Sequence, residues 1–435
     1  MCNKYWQPFN AADTKYMLNI VKGEGVFLYD NDGRRYIDAN SGLWNVNLGY
    51  SDKFIKEAMK KQIDELPYIN PITLSSNLAI ELSNDLCELT HDQISKVVYA
   101  CSGSESIEIA IKIARKYSNL LGKNKYHIAV IEGSYHGSYY GSMSASMYDE
   151  SEKCGYGPML DGFVKLPIPF CRCCKTNDMS EDFKRKIVKK LENDLESHKD
   201  ELCAIIVEPI LASGGVIPLF REYIMTIYNF CNKNDILFIC DEIATGFGRT
   251  GSMFCFQEFD LKPDLITISK GINNGYLPLA ALCITKKIED VFIKNNKVLF
   301  HLSTQNANPI CLSSALATIK KIKSENILNS VKTNSEYFRN LLNRELLDIS
   351  MVHEVRIYGL MIAIDLIDCK LKNPISRERL MKIVGKVYSL GCFITLSFIE
   401  NVTSSVVLFP QFITSKNDMD EIVKIIKAAL SEETI

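Results

Sequence analysis

Six short runs in the middle of the chain are apolar almost throughout: residues 97–100, 127–131, 204–207, 236–240, 265–268 and 279–284. They do not alternate between apolar and polar positions. Strands covered on both faces have this pattern, so the runs predict a parallel or mostly parallel sheet sandwiched by helices. Stretches with helical periodicity lie between several of them. Residues 105–121 place Ile107, Ile109, Ala110, Ile113 and Ala114 on one stripe. Residues 181–196 place Phe183, Ile187, Leu191 and Leu195 on one face with charges elsewhere, the pattern of a surface helix. Near the start, residues 25–30 and 35–38 flank Asn31-Asp32-Gly33, a hairpin signal. After Pro309 the character changes. Helices are expected at 312–323, 327–346, 376–390 and 418–430, with strands at 360–364, 393–395 and 406–408. The fold class expected is α/β: a large domain over 61–325 around the sheet, and a smaller α+β domain over 326–435 to which the 1–60 segment contributes.

Composition narrows the function classes. The chain has 435 residues, 47% of them hydrophobic and 23% charged, ordinary for a globular protein. Its 50 basic and 52 acidic side chains give a formal charge of −2, which offers no pull toward nucleic acid or an anionic membrane. No apolar stretch reaches the 18 residues or more that a membrane span needs. Residues 1–10 lack the basic-then-apolar pattern of a secretory signal. The 15 cysteines are scattered, so free thiols in a reducing cytoplasm are expected. Cys171, Cys173 and Cys174 lie close together, but no second ligand pair at metal-binding spacing accompanies them, and no metal is expected.

Four places at the ends of the apolar runs carry possible chemistry, at the edge where open α/β sheets bind ligands. Cys101-Ser102-Gly103-Ser104-Glu105 joins a strand to a helix. Its N–H groups suit a phosphate, but taken alone a plain N-cap by Ser102 or Ser104 is the better reading. Tyr135 precedes His136-Gly137, where an aromatic ring could stack on a flat cofactor or serve only as packing. Asp241 closes a strongly apolar strand. A carboxylate there needs a partner, such as a protonated pyridine nitrogen, a metal or a helix start. Lys270, in Ser269-Lys270-Gly271, ends another such strand. Desolvation there would lower its pKa and make it nucleophilic.

Together these places resemble the class III (ω-) aminotransferases, pyridoxal phosphate (PLP) enzymes of fold type I. The resemblance rests on Asp241-Glu242-Ile243-Ala244-Thr245-Gly246-Phe247-Gly248-Arg249-Thr250-Gly251, then Pro263-Asp264 and Ser269-Lys270-Gly271. It extends to Ser41-Gly42-Leu43-Trp44, Val207-Glu208-Pro209 and Asn308-Pro309. It implies that Lys270 holds PLP covalently and shuttles the proton. Asp241 would bind the ring nitrogen, Ile243 and Tyr135 would flank the ring, and Gly103 and Ser104 would hold the phosphate. Glu208 would lie near the cofactor and Trp44 would line the substrate pocket. Thr304 would reach the phosphate of a neighbouring subunit, which implies a homodimer with shared sites. The substrates implied are a small-molecule amine and an oxo acid, with no nucleic acid or membrane partner.

Departures from the family pattern bear on the substrate. Relatives acting on ornithine or 4-aminobutyrate pair a glutamate with an arginine as a gate. Those positions match Ser213 and Val407. No arginine follows Arg379, where relatives supply one for a substrate carboxylate, and Phe9 stands where diaminopelargonate aminotransferases have a tyrosine. The expected reaction is ping-pong transfer from an amine or ω-amino donor to a 2-oxo acid. The alternatives are a diaminopelargonate-type enzyme, an aminomutase on the same fold, or a non-catalytic PLP-binding protein, against which the presence of both Lys270 and Asp241 counts.

Overall fold

The structure is a computed structural model that describes residues 4–14, 18–172, 174–371 and 373–432. Strands β1 (Ile20–Glu24), β2 (Phe27–Asp30) and β3 (Arg35–Asp38) form an antiparallel meander near the start. Gly33, at φ 80°, supplies the left-handed residue of the expected β2–β3 turn. The six apolar runs then appear within β4 (Ile94–Ala100), β5 (His127–Ile131), β7 (Leu202–Val207), β10 (Leu237–Asp241), β11 (Leu265–Ile268) and β12 (Ala280–Thr285). They are joined by β6 (Phe163–Leu166) in one seven-stranded sheet, ordered β4-β12-β11-β10-β7-β5-β6. Strands β8 (Ile210–Leu211) and β9 (Ile217–Pro218) pair separately. Strand β12 is antiparallel to both of its neighbours, and the remaining pairs are parallel. The carboxyl ends of β4, β5, β7, β10 and β11 therefore share one edge.

Side chains of β10 show why a continuous apolar run suits this sheet. Phe238 and Cys240 enter the core on one face, Leu237 and Ile239 the core on the other, and all four are fully buried. Burying a side chain such as Phe238 or Ile239 contributes about 1.5–3 kcal/mol. The helix Gly103–Leu120 seals the second face with Ile107, Ile109, Ala110, Ile113 and Ala114.

The C-terminal part folds around β13 (Val352–Tyr358), β14 (Met361–Leu366), β15 (Cys392–Phe393), β16 (Thr395–Ile399) and β17 (Thr403–Leu408). Four of these form a sheet ordered β13-β14-β17-β16, while β15 pairs in parallel with β3 and brings the N-terminal meander alongside. Val406 and Leu408 point into a core shared with Ile37 and Ala39, and Val407 points into the large core. One strand thus ties the two cores together by its alternation.

Besides the short β8–β9 pair, strands β1, β6 and β13 were not expected from the sequence. In β1 and β6 the polar residues Lys22 and Lys165 break the pattern. In β13 the charges are internal: Glu354 and Arg356 are buried and paired at 2.6 Å. Asp365, Thr403 and Ser405 complete that cluster. A buried charge pair looks like a solvent-facing one when only spacing is read. The expected strand over 393–395 is divided at Ile394, because Cys392–Phe393 pairs with β3 and Thr395–Ile399 with β17.

Candidate active site

The N-terminus of the helix Gly103–Leu120 follows β4 directly. Ser102 caps it, accepting from the Glu105 N–H at 3.2 Å. The serine cap is thus formed, with the first-turn N–H groups of Gly103 and Ser104 at the sheet edge. A Cβ on Gly103 would lie 2.9 Å from Ile243 Cδ1, and one on Gly137 would lie 2.5 Å from Ser104 Oγ. The glycines let the loops after β4, β5 and β10 close on one another as tightly as a phosphate cradle requires.

Asp241 ends β10 and is 3% exposed. Its Oδ2 lies 2.7 Å from His136 Nδ1, and its Oδ1 accepts from Thr267 Oγ1 at 3.0 Å and from the Ile243 N–H at 3.1 Å. The strand register makes the Thr267 contact possible, because Asp241 and Thr267 are direct partners across β10 and β11. Neither His136 nor Thr267 had a role assigned from sequence. The available signals were a polar residue within the otherwise apolar run 265–268 and a histidine directly after Tyr135. His136 Nε2 is buried without a hydrogen-bond partner, which leaves polar capacity unused beside the carboxylate.

Glu208, after β7, accepts from the Tyr135 N–H at 2.8 Å and the Ala212 N–H at 3.2 Å. It therefore fixes the loop that carries Tyr135. Burial pushes its pKa up to about 7, with His136 pulling it down and Asp241 pushing it further up.

Lys270 follows β11 with a left-handed backbone, φ 44°. Such a conformation costs a non-glycine residue on the order of 1–3 kcal/mol and is kept where the surroundings demand it. Desolvation lowers the amine to about 8, against the opposing pull of Glu208 and Asp241, and Arg249 lowers it further. Its Nζ makes no hydrogen bond or ion pair with the described residues. It lies 4.5 Å from the centre of the Trp44 indole. Trp44 stacks at 4.2 Å and 9° on Phe409, whose ring lies 5.4 Å from the guanidinium of Arg249. Arg249 is fully buried without a carboxylate hydrogen bond, bonding instead to the carbonyls of Leu360 and Pro410 and to Ser41 and Asn47. Burial lowers it to about 9. Phe409 lies beyond β17 and was not legible in the sequence as part of this site.

The structure thus brings Gly103, Ser104, Tyr135, Glu208, Asp241, Ile243, Lys270 and Trp44 to one sheet edge. Thr304 stands apart. Its side chain is exposed, and no hydrogen bond joins it to the other residues. Its backbone is tied down by Tyr68 Oη at 2.9 Å, and the neighbouring Ser303 donates to Glu105 at 2.7 Å. Ser213 carries no charge into the site, and Ser397 Oγ donates to its carbonyl. Val407 is packed in the large core. Phe9 is 90% exposed at φ 60°. Cys171 and Cys174 lie in a loop that Arg172 pins to the Asn401 carbonyl and the Asn373 side chain, whereas Cys173 lies outside the described residues. Among the described residues no helix is long and apolar enough to cross a membrane.

An amine brought toward neutrality, a buried carboxylate fixed on the adjacent strand and a glycine-lined helix start suit one group: a pyridine aldehyde carrying a phosphate. The site and sheet are those of a PLP enzyme of fold type I. The chain belongs to the class III aminotransferases, whose family profile, "Aminotransferase class-III", matches residues 9–430. Among its relatives is an adenosylmethionine-8-amino-7-oxononanoate aminotransferase of Geobacter sulfurreducens, 29% identical over 96% of this chain and 93% of that protein. Another is vanillin aminotransferase of Capsicum chinense, 31% identical over 98% and 94%. A solved amine transaminase from an uncultivated Pseudomonas species, described as PLP-bound, superposes with a TM-score of 0.89 at 25% identity over 99% of each chain. The protein is a PLP-dependent aminotransferase.

Proposed function

We propose that this aminotransferase moves an amino group between an amine or ω-amino donor and a 2-oxo acid in two half-reactions, as a homodimer with shared sites. The observation that carries the reading is the Lys270 amine just past β11, lying over the Trp44 indole at 4.5 Å one strand away from the buried Asp241 that ends β10. Bound PLP supplies an electron-withdrawing ring that stabilises negative charge on the substrate carbon. Lys270 Nζ would hold the cofactor and, once a donor amine has displaced it, would take up and return the substrate proton. The Asp241 carboxylate, oriented by His136 and Thr267, would face the ring nitrogen and favour its protonated form. Gly103 and Ser104 would hold the phosphate, while Ile243 and Tyr135 would flank the ring. Glu208 orients the Tyr135 loop, and Trp44 lines the substrate side.

The donor class rests on Ser213 and Val407, uncharged where gated relatives carry an ion pair. The pairing of Trp44 with Phe409 leaves an apolar wall there. The activities named for the vanillin and amine transaminases fit the same wall. The dimer is supported by the exposed apolar side chains of Val298, Phe300 and Leu302 around the Thr304 segment, a patch unusual on a lone subunit. The partition into a 61–325 cofactor domain and a small domain of 1–60 with 326–435 belongs to this reading. The core shared by Ile37, Ala39, Val406 and Leu408 supports it.

A donor panel with pyruvate and 2-oxoglutarate as acceptors tests the reading. Aryl and alkyl amines are expected to outperform ornithine and 4-aminobutyrate. Lys270→Ala is expected to abolish turnover and the visible absorbance of the lysine-bound cofactor. Full turnover by that variant would refute the assignment. Selective use of adenosylmethionine with 8-amino-7-oxononanoate would replace the amine reading by the diaminopelargonate-type one.

A further inference from the structure

The segment that carries Trp44 is strained. Ser41, Gly42 and Trp44 all have left-handed backbones, at φ 49°, 65° and 66°. Only the glycine adopts this without steric cost. Such a turn persists only if something nearby over-determines it.

Asp38, the last residue of β3, is 1% exposed and faces this turn. Its Oδ1 accepts from the Asn40 N–H at 2.9 Å. Its Oδ2 accepts from the Gly42 N–H at 2.6 Å, Tyr50 Oη at 2.6 Å and Gln411 Nε2 at 3.2 Å. Two of these donors belong to the turn itself. Tyr50 lies just beyond the turn, and Gln411 comes from the segment after β17, close to Phe409. Asn40, fixed by the same carboxylate, accepts from the Trp44 indole N–H at 2.9 Å and so sets the ring's tilt. The indole then lies between Phe409 on one side and Lys270 Nζ on the other.

We infer that Asp38 is a positioning residue for the amino-transfer site: its carboxylate holds the left-handed 41–44 turn that lays Trp44 over Lys270. Asp38 makes no hydrogen bond to the amine and reaches the indole through Asn40 and the turn, while its charge also opposes the effect of burial on Arg249. The inference rests on the reading of Lys270 as the reacting amine. An amide cannot serve all four donors: even with its oxygen in the Oδ2 place, its NH₂ would face the Asn40 N–H donor to donor and release the residue that holds the indole.

Trp44 can be observed directly, since Trp6 is the only other tryptophan. In the full-length chain with Trp6→Phe, its emission and acrylamide quenching report the indole's position before and after PLP is added. Asp38→Asn is expected to raise the quenching constant and shift the emission to longer wavelength. In the holoenzyme it should raise KM for the amine at least about tenfold, the equivalent of one lost charge-assisted hydrogen bond, with little change in the rate of PLP capture. A folded Asp38→Asn with parental quenching would overturn the inference. If that variant does not fold, Tyr50→Phe removes one donor and leaves the carboxylate in place. It should shift quenching in the same direction by a smaller amount, and no shift would overturn the inference. Should the parent turn over no amine, the functional reading falls, and the quenching result still decides for or against Asp38.

Discussion

An amine as hard to charge as Lys270 should capture PLP at a pH where ordinary lysines are inert. The perturbation is pH, applied to the cofactor-free chain. An ordinary lysine titrates at 10.5, and Lys270 is lowered to about 8. Only the neutral amine attacks an aldehyde, so at pH 7 the reactive fraction is roughly 10%, against roughly 0.03% for an ordinary lysine, a ratio of roughly 300. The capture rate should rise about tenfold per pH unit up to about 8 and then level off. Stopped-flow absorbance of the bound cofactor gives this profile, and borohydride trapping followed by peptide mapping shows that the captured site is Lys270. The neighbours give the sign of two further shifts. Glu208 pulls the amine up and Arg249 pushes it down. The profile of Glu208→Gln should therefore move to lower pH, and that of Arg249→Met to higher pH. A rate still climbing through pH 10 in the parent would refute the argument that burial activates Lys270.

The same burial has a stability cost. A base whose folded pKa is lowered stabilises the folded chain less below that pKa, and the loss is recovered as pH rises from about 8 toward 10.5. Lys270→Met should therefore stabilise the cofactor-free chain at pH 7 by up to about 3 kcal/mol, measured by urea denaturation, with the advantage shrinking above pH 8. His136→Phe removes the 2.7 Å contact to Asp241 and should weaken PLP binding by about 1.5–3 kcal/mol in equilibrium dialysis; unchanged affinity would show that the contact is idle. Gly103→Ala must displace Ile243, at a cost of about 1–3 kcal/mol in stability together with weaker phosphate binding, seen as faster loss of PLP on dilution. Thr304→Val should lower PLP affinity while leaving the Lys270 pH profile unchanged, and mixed dimers of Thr304→Val and Lys270→Ala chains should show whether the threonine serves its own site or its partner's.

The carboxyl edge of the sheet was legible because its determinants are local. Continuous apolar runs specify buried strands, and the residues just past them land on one edge whatever the details of packing. Spacing therefore places Asp241, Lys270 and the 101–105 turn at that edge, whereas their expected roles came from the resemblance to class III aminotransferases. The pairing within the 354–365 cluster was not, because opposite charges two residues apart read as exposed until tertiary packing buries them together. The left-handed 41–44 turn was equally hidden, since serine and tryptophan give no sign of positive φ. What holds that turn is Asp38 with Gln411, residues separated by most of the chain, and what Trp44 stacks on is Phe409. The sheet and the helix start follow from neighbours in the chain, and the same local runs put Asp241 and Lys270 on adjacent strand ends. Only the tertiary structure decided which groups orient Asp241, how far Lys270 is desolvated and which aromatic wall stands over it. Those depend on strand register and on contacts between the two ends of the chain, and no local pattern encodes either.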